Sequence, residues 1–361
     1  MLNKLAHGII QGPKLAVLFV SVGSGGQRII TEAYVAFDNL RAGNYFLCVN
    51  TSASDHERMM ERFRQANVRP ANNITTLVIG EGFGAGKDPE LGLKTYMSDK
   101  AKVVEALKDL HNRMDFKIAF VLGSLGGGCG SLVLPEVARD IRTNLGIRVI
   151  PMVTLPFRRE GELLVQNAIR GLRKLSEYGF NPLVYDNEKT LEYARTVNEA
   201  VRMANRCFSI LISSLIDVVE YKDFAVPPVD IIDVTRIIMP QCGAFSTVFY
   251  DNAKDFMERW KKELERNMSL RSKILTVGKA FVLCKARHFP QKVAEDVMAF
   301  LRSKFKVTEI IPTVMEGDFV GYTIMTMVWG FGIDAIRPKL EAKGRSFLGL
   351  GRLASGAGRG G

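Results

Sequence analysis

Short apolar runs alternate with longer amphipathic segments through the first half of the chain. The apolar runs have the length and composition of buried strands, and we place them at 15–22, 45–49, 75–79, 117–122, 147–153 and 182–185. Between them, apolar residues recur at helical spacing, as at Val103, Leu107 and Leu110. Strands that alternate with helices predict an α/β fold with a doubly wound parallel sheet.

A long central helix is predicted after these strands, because apolar positions repeat at steps of three and four from Val197 to Val219. The stripe is wide enough for a helix buried between two bodies. Beyond it, one amphipathic helix at 293–305 lies among strand-like runs at 274–277, 280–284, 306–314 and 321–329. This pattern predicts a smaller α+β C-terminal domain with a mixed sheet.

The predicted division of the chain follows from these patterns. We expect an N-terminal extension at 1–14, an α/β domain at 15–196, the central helix at 197–220, a second domain at 221–333 and a tail at 334–361. Two prolines refine the prediction. Pro151 predicts an edge position or a bulge in its strand, and Pro135 fits the first turn of a helix predicted from Leu132 to Ile141.

The stretch from Gly123 to Ser131 carries the strongest functional signal. It joins a predicted strand to a helix and contains three consecutive glycines, Gly126, Gly127 and Gly128. Glycines let several backbone N–H groups point at one place, and the start of a helix adds partial positive charge there. The loop therefore predicts an anion site, most often for phosphate. A tight turn without a ligand is the less favoured alternative.

Other glycine-rich or polar loops also follow predicted strands, at 23–27, 50–55 and 80–92. Because the carboxyl ends of parallel strands meet at one edge of a sheet, these loops are expected to converge on a nucleotide site. The loop at 23–27 lacks the third glycine of a dinucleotide fingerprint, and Asp38 comes too early for the ribose-binding acid. The pair Gly86-Lys87 imitates a phosphate loop, but Asp88 replaces the required Ser or Thr.

Three polar residues beyond the loops are candidates for chemistry. Asp230 and Asp233 are three apart at the start of a predicted helix, which places them on one face, and capping of that helix is the alternative. Asn205 is a polar residue in the N-terminal half of the central helix. It either satisfies its hydrogen bonds locally or reads a base.

Composition narrows the class of protein. The chain has 361 residues, 47% of them hydrophobic, and no apolar run approaches the roughly 20 residues of a membrane span. Five scattered cysteines form no Cys-x-x-Cys pair, so we expect no disulfide framework, no zinc site and a reducing, cytoplasmic location. The four histidines are isolated, and we expect them to be surface or edge residues. The net charge of +11 favours an anionic partner, and the Gly-rich tail adds basic residues.

The loops, in this order, resemble those of the tubulin/FtsZ superfamily over roughly residues 15–332, in a divergent prokaryotic form (TubZ- or FtsZ-like). Gly126-Gly-Gly-Cys-Gly-Ser-Leu132 is similar to the signature Gly-Gly-Gly-Thr-Gly-Thr-Gly, and Pro156-Phe-x-x-Glu-Gly161 is similar to the FtsZ ribose loop. The segment Val229–Val234 falls where FtsZ has its synergy loop. The phosphate-side positions that the resemblance implies are Gly23, Ser24, Gly25, Gly26, Gln27, Asn50, Gly84, Ala85, Gly86, Gly126, Gly127, Gly128, Cys129, Gly130 and Ser131.

The resemblance implies a GTPase that polymerises head to tail, with GTP or GDP and Mg²⁺ as its ligands. Glu160 would meet the ribose, and Asn187 and Asn205 would read the guanine edge. The next subunit would insert Asp230 and Asp233 beside the γ-phosphate. With these roles implied, capping becomes the less favoured reading of the two aspartates.

Departures from the family pattern bear on the expected rate and role. Cys129 and Leu132 replace a threonine and a glycine of the signature, Leu164 stands in place of an arginine near the phosphates, and Pro228 in place of an asparagine. A short basic tail stands where FtsZ has a long acidic linker. These features favour a filament that segregates or positions plasmid or phage DNA through a DNA-bound adaptor. Several alternatives remain. One is an FtsZ-like division or cell-shape filament, and another is a slowly hydrolysing scaffold. A DNA- or membrane-binding protein that acts mainly through its tail is a third, and a dinucleotide-dependent oxidoreductase is the least favoured.

Overall fold

A computed structural model describes residues 17–41, 44–70, 72–220, 225–228, 231–238, 242–251, 256–270, 278–319 and 321–331. The predicted N-terminal extension, Asp230, the predicted strand at 274–277 and the basic tail lie outside the described residues. None of the helices within the described ranges is long and apolar enough to cross a membrane.

Strands and helices alternate in the first half, as predicted. The strands are β1 Val17–Val22, β2 Tyr45–Asn50, β3 Ile74–Val78, β4 Ile118–Ser124, β5 Arg148–Leu155 and β6 Leu183–Asp186. The helices are α1 Gly23–Ala36, α2 Ala53–Gln65, α3 Pro89–Met114, α4 Gly128–Leu145, α5 Glu162–Glu177 and the central helix α6 Val197–Glu220. The bounds of α6 agree with the prediction from the apolar stripe.

The second half contains shorter helices and a further set of strands. The strands are β7 Ala225–Val226, β8 Cys242–Tyr250, β9 Gly278–Ala286, β10 Val307–Glu316 and β11 Tyr322–Phe331. The helices are α7 Ile231–Val234, α8 Phe256–Asn267 and α9 Gln291–Phe305. Neither β8 nor α8 was predicted. In β8 the residues Gly243, Ser246 and Thr247 interrupt the apolar pattern that is typical of a strand.

One continuous sheet connects these strands in the order β3-β2-β1-β4-β5-β6-β8-β11-β9-β10-β7. The strands β1 to β6 are parallel throughout. Beyond β8 the sheet is mixed, because β11 runs antiparallel to both β8 and β9. The α/β class with a mixed C-terminal sheet is confirmed. The two parts join edge to edge through the pair Leu183 and Gly243, and the domain boundaries stay predictions.

Both faces of the parallel sheet are buried. Along β1, Leu18 and Val20 belong to the core shared with α3, α4 and α5, whereas Val17 and Phe19 belong to the core shared with α1, α2 and α6. Side chains alternate across a strand, so a strand buried on both faces is apolar throughout. This explains why β1 reads as an apolar run in which Ser21 is the one polar residue.

Both proline predictions were wrong. Pro151 lies in β5, an interior strand between β4 and β6, but β6 pairs with β5 only from Met152 onward, so one side of the strand needs no ladder bond at Pro151. Pro135 lies inside α4, which begins four residues earlier than predicted, at Gly128. Proline cannot donate to the carbonyl four residues before it, here that of Ser131, and Gly171 of α5 packs closely against that oxygen.

A buried ion pair links the central helix to both halves of the chain. Asp217 of α6 is 4% exposed and accepts hydrogen bonds from Lys285 Nζ in β9 at 2.6 Å and from Asn39 Nδ2 at 2.9 Å. Asn39 follows α1, so one carboxylate connects three parts of the fold. A charge taken out of water is tolerated only with such partners.

We expect Asp217→Leu to lower the free energy of unfolding by about 3 kcal/mol, since Lys285 would be left as an uncompensated buried charge. The double variant Asp217→Leu/Lys285→Met should recover most of that loss. Urea unfolding measures both. Asp296→Leu is the control, because the Asp296–Lys292 pair lies at the surface of α9, where ion pairs contribute little. A double variant no better than the single one would contradict the assignment.

Candidate functional site

Loops that follow β1, β2, β3, β4 and β5 converge on a cavity of about 420 Å³ at the carboxyl edge of the parallel sheet. Most of the predicted loop residues line it. They are Gly23, Ser24, Gly25, Asn50, Gly84, Ala85, Gly86, Gly126, Gly127, Gly128, Cys129, Gly130 and Glu160. The convergence expected from a parallel sheet is therefore present in the structure.

The N-termini of two helices open onto this cavity without a side-chain cap. Helix α1 begins at Gly23 after Val22, and α4 begins at Gly128 after Gly127; neither preceding residue forms a capping hydrogen bond. Neither helix carries an acidic residue in its first turn. Uncapped N–H groups and the positive end of the helix dipole favour an anion at this place.

Helix α3 provides the contrast. Its first N–H groups are already satisfied, because Asp88 accepts hydrogen bonds from the backbone N of Glu90 and Leu91, at 2.9 and 3.2 Å. Pro89 occupies the first helical position, where a missing N–H is harmless. Asp88 at the position of a phosphate-loop Ser or Thr is thus a helix cap. What this loop presents to the cavity is Gly84, Ala85, Gly86 and Lys87.

Several glycines are required by the close approach of backbone to backbone. A Cβ on Gly130 would lie 2.1 Å from the carbonyl oxygen of Ser124, and one on Gly92 would lie 2.5 Å from that of Gly128. No side chain fits at those distances. The main chain of α4 therefore contacts the main chain of α3 and of the end of β4 directly. The backbone of the loops that lead into α3 and α4 lies next to the cavity.

A hydrogen-bonded cluster, Ser24–Gln27–Asn50–Asp55, fixes the relation between α1 and the start of α2. The Asp55 carboxylate accepts from the Ser24 hydroxyl, from Asn50 Nδ2 at 3.1 Å and from Arg58 Nη1 at 2.8 Å. Gln27 is buried; its Oε1 accepts from Asn50 Nδ2 at 3.0 Å and its Nε2 donates to the carbonyl of Asp55 at 3.0 Å. The Gln27 amide is thus bonded within the protein.

Asp55 is ionised in this setting. Burial alone would raise its pKa, but hydrogen bonds from Ser24 and Asn50 and the charges of Arg58 and Arg28 outweigh burial and hold the pKa below its usual value. The neighbouring His56 was expected at the surface, and that prediction was wrong. His56 is buried with Nδ1 3.0 Å from Gln27 Nε2, and burial lowers its pKa.

Two further lining groups differ in charge. Burial raises the pKa of the Cys129 thiol to about 12, although hydrogen bonds from Thr51 oppose the shift, so Cys129 adds no charge beside an anion. Glu160 is exposed at the rim, and its Oε2 accepts from the backbone N of Phe157 at 2.7 Å. Its second oxygen can accept a hydroxyl of a ligand.

A second cavity, of about 340 Å³, lies over α1 between α2 and the start of α6. It shares Ser24, Arg28, Asp55 and Arg58 with the first cavity, so the two form one cleft. Gln27 and Asn205 line this second part. Among the described residues that line either cavity, none has an aromatic side chain.

Three of the predicted nucleotide-binding residues line neither cavity. Gly26 and Ser131 are buried inside α1 and α4, where a Cβ on Gly26 would meet the Leu122 carbonyl at 2.1 Å. Asn187 opens a 3₁₀ turn after β6, and its Oδ1 is buried without a hydrogen-bond partner among the residues that the structure describes.

Sequence reasoning missed four charged residues of the larger cavity. Arg28, Asp55, Arg58 and Lys87 line it but were not singled out. A signal existed for Arg28, because it follows Ser24 by four residues and so lies on the same face of α1. Asp55 and Lys87 stand within loops that were already singled out for their glycines and polar residues.

Asp233 lies at the opposite edge of the sheet from the cleft. It is in α7, paired with Arg236 Nη1 at 2.8 Å, and the following turn is held by a hydrogen bond from Arg148 to Thr235. Arg148 begins β5, whereas Pro156, just after the end of β5, lines the cavity. Eight extended residues separate the two edges by roughly 23 Å. Asp233 therefore cannot reach the cleft of its own molecule.

Comparison with known proteins places these features in a family. The model of the Tubulin/FtsZ family, GTPase domain, matches residues 16–195. Cell division protein FtsZ of Azotobacter vinelandii is 30% identical over 184 residues, which are 50% of this chain and 41% of that protein. FtsZ of Aquifex aeolicus is 28% identical over 222 residues, 60% of this chain and 54% of that protein. The chain thus spans about half the length of the curated relatives that it matches.

Solved structures resemble the fold over almost the whole chain. A protofilament of CetZ2 from Haloferax volcanii with bound GTPγS is 20% identical, covers 93% of this chain and 99% of its own, and superposes with a TM-score of 0.74. A GTPγS-form protofilament of TubZ from Bacillus thuringiensis is 14% identical, covers 98% of both chains, and gives a TM-score of 0.69. At these identities the likeness establishes the fold.

We expect Gly130→Ala to lower the free energy of unfolding by about 1–3 kcal/mol, because the added methyl group would overlap the Ser124 carbonyl. Gly127→Ala in the same loop is the matched control: the nearest heavy atom to its Cβ position is 4.0 Å away, so we expect a change within about 0.5 kcal/mol. Thermal unfolding followed by circular dichroism measures both. Equal losses would show that backbone approach does not constrain this loop.

Proposed function

Because the chain belongs to the Tubulin/FtsZ family, we propose that it is a GTPase that assembles head to tail and hydrolyses GTP between neighbouring subunits. The observation that carries the proposal is the separation of the cleft from Asp233, which would be the two parts of one hydrolytic site. The cleft opens at the carboxyl edge of the sheet, and Asp233 lies at the opposite edge. Stacking two copies brings these edges together.

The phosphates of GTP would lie in the larger part of the cleft. Uncapped helix N-termini, glycine backbone and the cations Lys87 and Arg28 supply favourable partners for a triphosphate there. Glu160 at the rim would accept a ribose hydroxyl. The base would lie in the second part, between Val201 and Asn205 of α6 and the side chains of α1. Asn187 would need to move to take part in base recognition.

The cleft offers Mg²⁺ one candidate carboxylate ligand among the described residues. Among the described residues, no group of three or more His, Cys, Asp or Glu side chains could hold a metal ion. Mg²⁺ commonly binds one or two carboxylates together with phosphate oxygens and water. Asp55 is ionised and lines both cavities, so it is the candidate carboxylate. The ion would neutralise developing charge on the phosphates.

Assembly would also bury exposed apolar residues. Phe83 is 90% exposed in the loop before α3, next to Gly84 at the cavity. Val226 is 72% exposed just before Pro227 and Pro228, in the segment that leads to α7. Single exposed apolar side chains are ordinary on a protein surface, and these two would be covered if copies stack through the cleft and the segment before α7. The synergy loop of one subunit, with Asp233 and with Asp230 from outside the described residues, would then face the nucleotide of the next.

The role in the cell is proposed from charge. The net charge of +11 and the basic residues beyond 336 favour a polyanionic partner in the cytoplasm. We propose that the filament segregates or positions DNA through a DNA-bound adaptor. An FtsZ-like division or cell-shape filament is the alternative that the FtsZ relatives favour.

GTP turnover per subunit should rise with protein concentration through an assembly threshold. We expect Asp233→Asn to lower the maximal rate at least about a hundredfold, the size of a lost acid–base group, while GTP binding persists because Asp233 lies far from the cleft. Asp296→Asn is the control, since Asp296 pairs with Lys292 within α9 as Asp233 pairs with Arg236. Phosphate release and electron microscopy provide the readouts.

Two outcomes would redirect this proposal. Turnover that stays flat with concentration, or full turnover by Asp233→Asn, would contradict hydrolysis between subunits. Filaments that form with GTP but last as long with a non-hydrolysable analogue would identify a slowly hydrolysing scaffold, which the residues Leu164 and Pro228 favour.

Deletion of residues 337–361 tests the DNA role. We expect wild type to bind duplex DNA with an affinity that falls steeply with salt. The deletion should make the slope of log affinity against log salt concentration shallower, by about 0.9 for each lost phosphate contact. A full-length variant with Arg337, Lys339, Lys343, Arg345, Arg352 and Arg359 replaced by Gln separates charge from length. Absence of DNA binding by wild type would contradict direct binding through the tail and would leave DNA contact to the adaptor.

A further inference from the structure

Helix α5 carries a buried polar side chain on the face that packs against the site. Leu164, Asn167 and Gly171 follow one another at helical spacing. Leu164 lines the cavity, and a Cβ on Gly171 would meet the Ser131 carbonyl of α4 at 2.8 Å. Asn167 lies between them and is 1% exposed. An asparagine in this setting must find hydrogen-bond partners within the protein.

Both partners of Asn167 are carbonyls of the loops that line the cavity. Its Nδ2 donates to the carbonyl oxygen of Lys87 at 3.0 Å and to that of Gly126 at 3.2 Å. The amide nitrogen has two N–H groups, so the two bonds use both. The segments 84–88 and 125–128 belong to different strand-to-helix connections, and Asn167 belongs to neither, because it lies within helix α5.

The two bridged segments also touch directly. A Cβ on Gly128 would lie 2.9 Å from both the backbone N and the backbone O of Asp88. Lys87 has a positive φ of 67°, a conformation that non-glycine residues adopt only when their surroundings hold it. Asn167 bonds the carbonyl of that same residue, so it supports the backbone where the loop is most strained.

We propose that Asn167 is a positioning residue that fastens the loop before α3 to the loop before α4 and thereby sets the spacing of the backbone that faces the ligand. Gly86 and Lys87 on one side, and Gly126 and Gly127 on the other, line the cavity. The ligand that this spacing serves, a nucleoside triphosphate, rests on the proposed function. The bridge itself does not.

The exposed link between α5 and α3 does not replace this bridge. Arg170 pairs with Glu90 at the surface, where ion pairs contribute little. That pair holds the outside of α3, whereas Asn167 acts at the loop backbone beneath it. Loss of Asn167 therefore leaves the helices in place and frees the two loops.

Hydrogen exchange of nucleotide-free protein tests the bridge. We expect Asn167→Leu, which keeps the branching and the number of heavy atoms of the side chain but cannot donate a hydrogen bond, to speed exchange of amides in both 84–88 and 125–130 about tenfold. Asn144→Leu is the matched control, because the Asn144 amide donates to one carbonyl within its own helix, that of Asp140, at 2.9 Å. Unchanged exchange, or a change in only one segment, would overturn the bridge.

Binding of a fluorescent GTP analogue tests the positioning role. We expect Asn167→Leu to weaken binding about tenfold, or about 1.4 kcal/mol at 25 °C, with Asn144→Leu unchanged. Faster exchange with wild-type affinity would show a purely structural role and overturn the proposal. If wild type itself fails to bind the analogue, the proposed function fails, and the exchange experiment still decides whether Asn167 bridges the loops.

A pH profile separates hydrogen bonding from packing. In Asn167→Asp, an ionised carboxylate would face two carbonyls, but a protonated one offers an O–H donor to one of them. Burial raises the pKa of a carboxyl group, so affinity relative to wild type should recover as pH falls from 8 to 5. Asn167→Leu should show a constant ratio. A ratio for Asn167→Asp that does not change with pH would overturn the proposal, and this variant serves if Asn167→Leu does not fold.

Discussion

The direct contact of main chain with main chain at the carboxyl edge of the parallel sheet is the constraint on which the rest of the structure depends. Gly130 packs on the Ser124 carbonyl and Gly92 on that of Gly128, so the loops after β3 and β4 are set by backbone geometry. Because few side chains stand between them, their N–H groups and the uncapped starts of α1 and α4 can face one cavity. Asn167 then satisfies two of the carbonyls that such packing buries.

The same parallel topology separates Asp233 from the cleft. Strand β5 begins at Arg148, which holds the turn beside Asp233, and ends where Pro156 meets the cavity. The sheet is a rigid spacer, so no side-chain motion within one molecule brings Asp233 to the cleft. A second copy would be needed to complete the site, and that requirement would couple turnover to assembly.

The central helix connects the cleft with the second half of the fold. Asn198 and Asn205, near the start of α6, line the second cavity, and Asp217 near its end pairs with Lys285 of β9. The helix extends about 1.5 Å per residue, so Asn198 and Asp217 lie roughly 28 Å apart along it. A buried charge at the far end fixes the position of the helix relative to Asn39 and β9.

The sequence by itself determined the α/β class, the bounds of α6 and most of the loop residues that line the cavity, because glycine content and apolar periodicity are local properties of the chain. Only the tertiary structure decided what depends on contacts between distant segments. Pro151 lies in an interior strand because β6 begins one residue later, Gln27 bonds within the protein because α2 supplies Asp55, and Asn167 bridges two loops that lie about forty and eighty residues away along the chain. The distance of Asp233 from the cleft likewise follows from strand direction, which periodicity does not encode.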